Sequence, residues 1–388
     1  MEIPPNPQPR AGPGASEPLA DDAGFRVLPR RQVILTLGGV MAAMFLASLD
    51  QTVVGTAMPR IIGDLGGFDR YTWVTTAYLV AATAVVPIVG RLSDMYGRKA
   101  FFVAGIALFL VGSFLAGLSQ TMSQLIGFRA VQGLGGGIIM ANAFVSIGDL
   151  FPAKERGKYT GVISAVFGLS AVIGPTLGGF VTDSLSWHWI FFLNIPLGIP
   201  VIALFARFFP HTGVSGLKHR IDYLGMVILI LAVVPLMLAL SWGGVQYQWG
   251  SPQVMGAFIL AGLMAATFIM VELRAPEPIL PLEIFRNPVV SISMIAIFLT
   301  GFGMMGSIIF LPLFFQGVLG ASATSSGSFL TPMMLGVQAG AILSGQALSR
   351  LGGRYRTQGL VGLGALALGL FMLSRVGVHT SYGQAVFD

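Results

Sequence analysis

Polar and apolar positions follow one another along this chain in long blocks. Eleven runs of about 20 residues, nearly free of charge, are separated by brief polar segments: about 33–57, 73–90, 100–119, 124–149, 159–182, 190–209, 222–242, 253–272, 289–315, 327–349 and 359–376. An α-helix needs about 20 apolar residues to cross a bilayer core of roughly 30 Å. Inside that core a helix satisfies its own backbone N–H and C=O groups without water. The runs are too long for membrane strands and lack period-two alternation. The pattern predicts an all-α membrane protein with about eleven transmembrane helices.

Lysine and arginine are distributed unevenly about these runs. With the N-terminus inside, 18 of the 22 basic residues fall in cytoplasmic segments, among them Arg30, Arg31, Arg91, Arg98, Lys99, Lys154, Arg156, Lys158 and Arg207. Arg60, Arg70 and Arg375 fall outside, and Arg129 lies within a run. Cytoplasmic loops carry such an excess. The expected arrangement is a multi-pass protein of the cytoplasmic (inner) membrane with its N-terminus cytoplasmic. Residues 1 to about 30 contain Pro, Gly and acidic residues but no apolar run, and read as a disordered cytoplasmic tail. The first apolar run is too long for a cleavable signal peptide, and further spans follow it.

Composition narrows the chemistry. Charged residues make up 10% of the chain, apolar ones 54%, and the mean hydropathy is +0.80; a soluble domain carries roughly 25% charged residues. The lipid bilayer is therefore the expected surroundings. The 52 glycines suit membrane helices, where small residues let backbones approach. With no cysteine there is neither a disulfide framework nor a thiol nucleophile. His188, His211, His219 and His379 all fall in or beside loops, which argues against a buried histidine cluster, and neither a metal site nor a cofactor is expected. The net charge of +6 sits in short loops between spans, so nucleic acid is not an expected partner.

Part of the pattern recurs. Leu92–Lys99 (L-S-D-M-Y-G-R-K) aligns with Leu348–Tyr355 (L-S-R-L-G-G-R-Y), 256 positions on, and the flanking runs superpose without a gap from Thr72 on Ser328. Glycine-rich apolar segments also match by chance, but the shared cytoplasmic placement argues for one hairpin present in two related halves. The second half then begins at the ninth run, and runs seven and eight are an insertion. The expected organisation is a tail (1–30), a complete six-helix N-terminal bundle (31–210), two inserted transmembrane helices (211–274) and a partial C-terminal bundle of three helices (275–388). Three helices would then be wanting after Asp388, and the chain reads as a fragment or truncated frame of a longer protein.

Four segments carry candidate chemistry. The loop between runs two and three, Gly90–Lys99, reads G-R-L-S-D-M-Y-G-R-K. Asp94 between basic residues can pair with helix ends and hold one conformation closed; anchoring by Arg98 and Lys99 alone leaves the two glycines and the acid unexplained. Asp50, in L-D-Q-T-V-V-G-T-A-M-P of run one, is the only acidic residue well inside a span. Arg129, in L-I-G-F-R-A-V-Q-G-L-G-G-G of run four, is an arginine at membrane depth. Each such charge costs roughly 2.5–3.5 kcal/mol at a helix centre and faces a cavity or a partner. Counted from the outer ends of their spans, Asp50 lies roughly 13 Å and Arg129 roughly 8 Å deep at 1.5 Å per residue. A direct or water-linked pair is expected. It would couple a proton to a conformational change, because protonating Asp50 frees Arg129; a purely structural ion pair and an arginine that snorkels outward are the blander alternatives. Gly133–Gly137 lacks the strand and the Lys-Ser/Thr of a phosphate loop, so close helix packing is expected there. Run five reads G-L-S-A-V-I-G-P-T-L-G-G from Gly168 to Gly179, in which Gly174 and Pro175 permit a bend and the glycines Gly168, Gly174, Gly178 and Gly179 open a smooth face.

These strings resemble the major facilitator superfamily. The Gly90–Lys99 loop fits its G-x-L-x-D-x-x-G-R-[RK] motif completely. The resemblance implies a conformational latch for Gly90, Asp94, Gly97, Arg98 and Lys99, and a role in proton handling for Arg129. The Gly168–Gly179 string resembles the antiporter motif of drug exporters. Trp187–Gly198 (W-H-W-I-F-F-L-N-I-P-L-G), Asp222-Tyr223-Leu224-Gly225, Pro281–Asn287 and Leu311–Gln316 are similar to segments of the fourteen-helix drug:proton antiporter family. The chain departs from it at His188, where arginine is usual, and at Gly55, where asparagine is common. The resemblance covers about residues 30 to 375. It implies a secondary transporter, not an enzyme, driven by protons as coupling ion and exporting amphipathic drugs or toxic small molecules as a monomer. A narrow-substrate exporter of a metabolite, siderophore or antibiotic, and an inactive remnant or scaffold, are the rival expectations.

Overall fold

The computed structural model describes residues 29–209, 222–317, 323–350 and 355–375. Most of the expected N-terminal tail, and the basic residues Lys218, Arg220 and Arg354, lie outside the described residues. Helices dominate, and the only β-type pairing among the described residues is a lone bridge between Gly243 and Tyr247. In chain order the helices are α1 (Arg30–Leu65), α2 (Thr72–Tyr96), α3 (Arg98–Gly117), α4 (Met122–Leu150), α5 (Ala153–Ser184), α6 (His188–Phe192), α7 (Asn194–Phe208), α8 (Tyr223–Trp242), α9 (Pro252–Glu272), a 3-10 turn (Leu282–Arg286), α10 (Pro288–Gly317), α11 (Ala323–Arg350) and α12 (Tyr355–Leu373). With α6 and α7 counted as one crossing, each of the eleven apolar runs carries a helix. Among the described residues nine spans are long and apolar enough to cross a membrane outright.

Two boundaries differ from the hydropathy reading. Helix α1 does not stop near residue 57 but continues through Pro59 to Leu65. Proline removes one donor, so only the bond to the Gly55 carbonyl is lost, and the helix goes on. The sixth span is broken at Leu193. Pro196 explains the break: it has no N–H for the carbonyl of Phe192, four residues back, which is where α6 ends.

Close packing is concentrated in α1–α7. Helix α4 runs between α2 and α3 and touches both through glycines. A Cβ at Gly133 or Gly137 would strike the α2 backbone at Tyr78 or Ala82, and one at Gly135 the α3 backbone at Phe109. Missing side chains here let helix axes approach, which is the main source of packing energy where lipid is as apolar as leucine. One apolar cluster gathers Met44, Phe102, Ile106, Phe109, Ile139 and Phe205. A second gathers Leu49, Val53, Ile61, Leu125, Trp187 and Phe191. Helix α5 packs against α1 on one side and α11 on the other, where Gly157 and Gly161 meet Gly345 and Ala341. Helices α8 and α9 form a hairpin laid on α2. The outward faces remain apolar and uncovered, as at Phe298, Phe302 and Leu360. Apolar surfaces this extensive suit lipid rather than water.

Candidate functional site

The charged centre lies between the two apolar clusters. Asp50 of α1 and Arg129 of α4 are 2% and 1% exposed, and Nη1 of Arg129 stands 2.5 Å from Oδ2 of Asp50. The other carboxylate oxygen, Oδ1, accepts from Gln132 Nε2 and from Asn194 Nδ2, each at 2.8 Å. Asn194 also donates to Ser113 Oγ at 2.9 Å, and that hydroxyl donates to the Phe191 carbonyl at 2.8 Å. Arg129 donates further to Gln132 Oε1 (2.8 Å) and the Val74 carbonyl (3.4 Å). Its guanidinium lies 4.4 Å from the centre of the buried Tyr78 ring, a cation–π contact.

The local sequence explains this assembly. Gln132 follows Arg129 by three residues, so both side chains leave the same face of α4. Asn194 opens α7 directly after the break, which aims its amide into the bundle. A buried ion pair is tolerated only when its remaining hydrogen-bonding positions are filled, and here two amides and a carbonyl fill them. Gln132, Asn194, Ser113 and Tyr78 escaped the sequence reading because uncharged polar residues in glycine-rich spans barely alter hydropathy. The signal that could have found Asn194 is an amide two residues before a helix-breaking proline.

The Gly90–Lys99 segment is a tight joint between α2 and α3. Gly97 adopts φ 94°, a conformation that L side chains rarely take. It turns the chain so that Arg98 opens α3 while remaining buried. Arg98 bonds Asp94 Oδ1 at 2.5 Å and Ser93 Oγ at 3.2 Å, and clasps Asp149 at the end of α4 with Nε and Nη2. Ser93 in turn donates to the Gly90 carbonyl at 3.1 Å. Asp149 was not foreseen. Lys99 is half-buried and makes no ion pair among the described residues. Arg91 reaches outward to Glu277, 3.5 Å away, in the segment after α9.

In α5, Gly168, Gly174 and Gly178 are buried, Gly179 is half-buried and Pro175 is exposed. The helix runs through Pro175 to Ser184. Gly174 lies against Thr52 and Gly178 against Thr56 and Val53, leaving no space for a Cβ at either position. Thr52 donates to the Ser170 carbonyl at 3.1 Å. These glycines therefore seat α1 two residues beyond Asp50. Gly55 faces open space, and the His188 ring stacks on Trp187, whose Nε1 donates to Asp64 at 2.8 Å.

A bundle of lipid-facing helices around a buried, fully bonded acid–base pair defines a multi-pass membrane protein with an internal polar centre. The sequence model of the Major Facilitator Superfamily matches residues 40–386, and the chain belongs to that superfamily. It is 42% identical over 356 residues to the multidrug transporter protein MdtP of Bacillus subtilis (strain 168), covering 91% of this chain and 64% of that one. It is 43% identical over 343 residues to multidrug resistance protein 3 of the same organism, covering 88% and 66%. The chain thus spans just under two thirds of the length of these relatives. The solved structure of the proton:xylose symporter XylE, bound to 6-bromo-6-deoxy-D-glucose, superposes with a TM-score of 0.53 at 15% identity, over 92% of this chain and 81% of that one. It supports the all-α major facilitator fold.

Proposed function

We propose that this chain is the core of a proton-coupled secondary exporter of amphipathic small molecules, many of them cationic. The Asp50–Arg129 pair carries the reading. In the charged state every Asp50 oxygen is bonded and α1 is held to α4. A proton on Oδ2 cancels the attraction to Arg129, while the guanidinium keeps the Tyr78 face, Gln132 and the Val74 carbonyl as alternative partners. Helix α1 is then free to shift against α4, which is the kind of two-state element that alternating access needs. The Gly90–Lys99 joint acts as the latch on one membrane face, and the glycine face of α5 lets α1 move without losing contact. The names of the Bacillus subtilis relatives support drugs as substrates. The excess of basic residues on one side supports a cytoplasmic membrane location with the N-terminus inside, and residues 31–210 and 275–388 form the two moving halves of a monomer.

The test is transport in proteoliposomes with an imposed pH gradient and a fluorescent amphipathic cation. Wild-type chain is expected to move the dye against the proton flow, and Asp50→Asn to bind it but lose the response to the gradient. Unchanged gradient dependence in Asp50→Asn would overturn the reading.

A further inference from the structure

A second set of ionisable groups lies away from Asp50, at the end of the α8–α9 hairpin nearest the Gly90–Lys99 joint. Asp222 caps α8, with Oδ1 accepting the N–H of Gly225 at 2.8 Å. Its other oxygen, Oδ2, is buried and receives no hydrogen bond. Glu272, the last residue of α9, is 3% exposed. Its Oε1 accepts the N–H of Leu280, and its Oε2 is likewise buried with no donor. Both unbonded oxygens converge on one point. A Cβ placed on Gly225 would run into Asp222 Oδ2 and lie 3.2 Å from Glu272 Oε2. The glycine of the Asp222-Tyr223-Leu224-Gly225 string is thus what allows the carboxylates to come together.

Among the described residues, the charged groups around them do not pair with these two carboxylates. From α2, Arg91 is turned to Glu277 at 3.5 Å. Beyond α9, Arg274 is exposed. No group of three or more His, Cys, Asp or Glu is gathered among the described residues. Two carboxylates side by side, their facing oxygens buried and paired with no cation among the described residues, cannot both stay charged at low cost. One proton between the facing oxygens satisfies both.

We propose that Asp222 and Glu272 bind a single proton between them, forming a proton site separate from Asp50 and Arg129. The bound proton staples three segments: the start of α8, the end of α9 and the stretch through Leu280 that leads to the 3-10 turn. A cavity of about 620 Å³, lined by Asp222, Leu224, Met270 and Arg274, opens onto the Asp222 side of the pair, and through it the proton exchanges with the surroundings. Loss of the proton leaves two like charges in contact. The hairpin end then loosens beside the Arg91–Glu277 bridge, and through that bridge the change reaches the Gly90–Lys99 joint.

The sign follows from linkage. The folded chain holds a proton that the unfolded chain releases more readily, so this contribution to stability is present at low pH and lost as pH rises. The test uses the full chain in detergent and requires no transport. Infrared difference spectra between the ordinary carboxyl range, about pH 5, and alkaline pH record the C=O stretch of any carboxyl that keeps its proton above that range and gives it up as pH rises. Wild-type chain is expected to show the band and to lose about 2–4 °C of Tm on going alkaline. Glu272→Gln, whose amide can donate to Asp222 in place of the proton, is expected to lack the band and to hold its Tm. Asp222→Asn, the second variant should the first not fold, is expected to lack it too. Asp50→Asn is expected to keep it. A wild-type spectrum without the band, a band surviving in Glu272→Gln or Asp222→Asn, or a band lost in Asp50→Asn overturns the proposal. The last outcome would assign the proton to the central pair and leave the proposed transport mechanism standing.

Discussion

Asn194, the first residue after the break in the sixth span, donates its side-chain amide to Asp50 over 2.8 Å. The same nitrogen donates to Ser113, so the amide ties α7 to α1 and α3 at once. Asn194→Leu keeps the branched shape and removes both donors. Asp50 and Ser113 are then each short of one bond, at a cost of about 1–3 kcal/mol. The variant is expected to melt earlier in detergent, and an unchanged melting temperature would mean that the amide does not hold the pair.

The glycines of α5 make contrasting sites for substitution. Gly174 abuts Thr52 with no room for a Cβ, whereas Gly179 has nothing within 4 Å of where one would stand. Gly174→Leu must push α1 away from α5, and overpacking of this kind costs about 1–3 kcal/mol or more. Gly179→Ala meets no obstacle, and alanine is favoured over glycine in a helix by roughly 0.5–1 kcal/mol. Thermal melts of the two variants in detergent are expected to move in opposite directions. Equal losses would mean that α1 does not rest on this face.

Adjacent cations in the α2–α3 joint are predicted to differ. Arg98 is buried and holds Asp94 and Asp149, while Lys99 beside it makes no ion pair among the described residues. Arg98→Gln leaves two carboxylates without their cation. Both keep some access to water, Asp94 at 50% and Asp149 at 34% exposure, so the loss is expected near about 1–2 kcal/mol. Lys99→Gln is expected to stay within about 0.5 kcal/mol of wild type. Chemical denaturation followed by tryptophan fluorescence separates the two outcomes.

How much of this was readable in advance follows the physics of each signal. Lipid demands long uncharged helices, so all eleven runs could be located from hydropathy, and the rarity of charge at membrane depth singled out Asp50 and Arg129. Neither reading needs knowledge of packing. The partners were hidden because they depend on it: Asn194 comes from 144 positions beyond Asp50 and Asp149 from 51 beyond Arg98, and amides in apolar runs leave no compositional trace. The broken sixth span was hidden differently. Its hydropathy is continuous, and only the missing N–H of Pro196 interrupts it.

The α8–α9 hairpin offers the last prediction. At its far end from Glu272, Thr76 of α2 and Ser241 of α8 bring their hydroxyls to 3.3 Å. Beside them Trp73 lies tilted against Trp242, with centroids 5.7 Å apart, and donates to Gln246 at 3.2 Å. At the near end the Arg91–Glu277 pair makes a second attachment to α2. A hairpin fixed to one helix at both ends should travel with that helix. The chain has no cysteine, so a Thr76→Cys, Ser241→Cys double variant introduces a single possible disulfide. Hydroxyls 3.3 Å apart put the two side chains within contact of each other, the condition for a bond that draws β-carbons to roughly 3.5–4.5 Å. The bond is expected to form on mild oxidation both with and without a pH gradient, and to leave dye transport within about twofold of the reduced form, equivalent to less than about 0.5 kcal/mol. A cross-link that forms in only one condition, or that stops transport until it is reduced, would mean that the hairpin parts from α2 during the cycle.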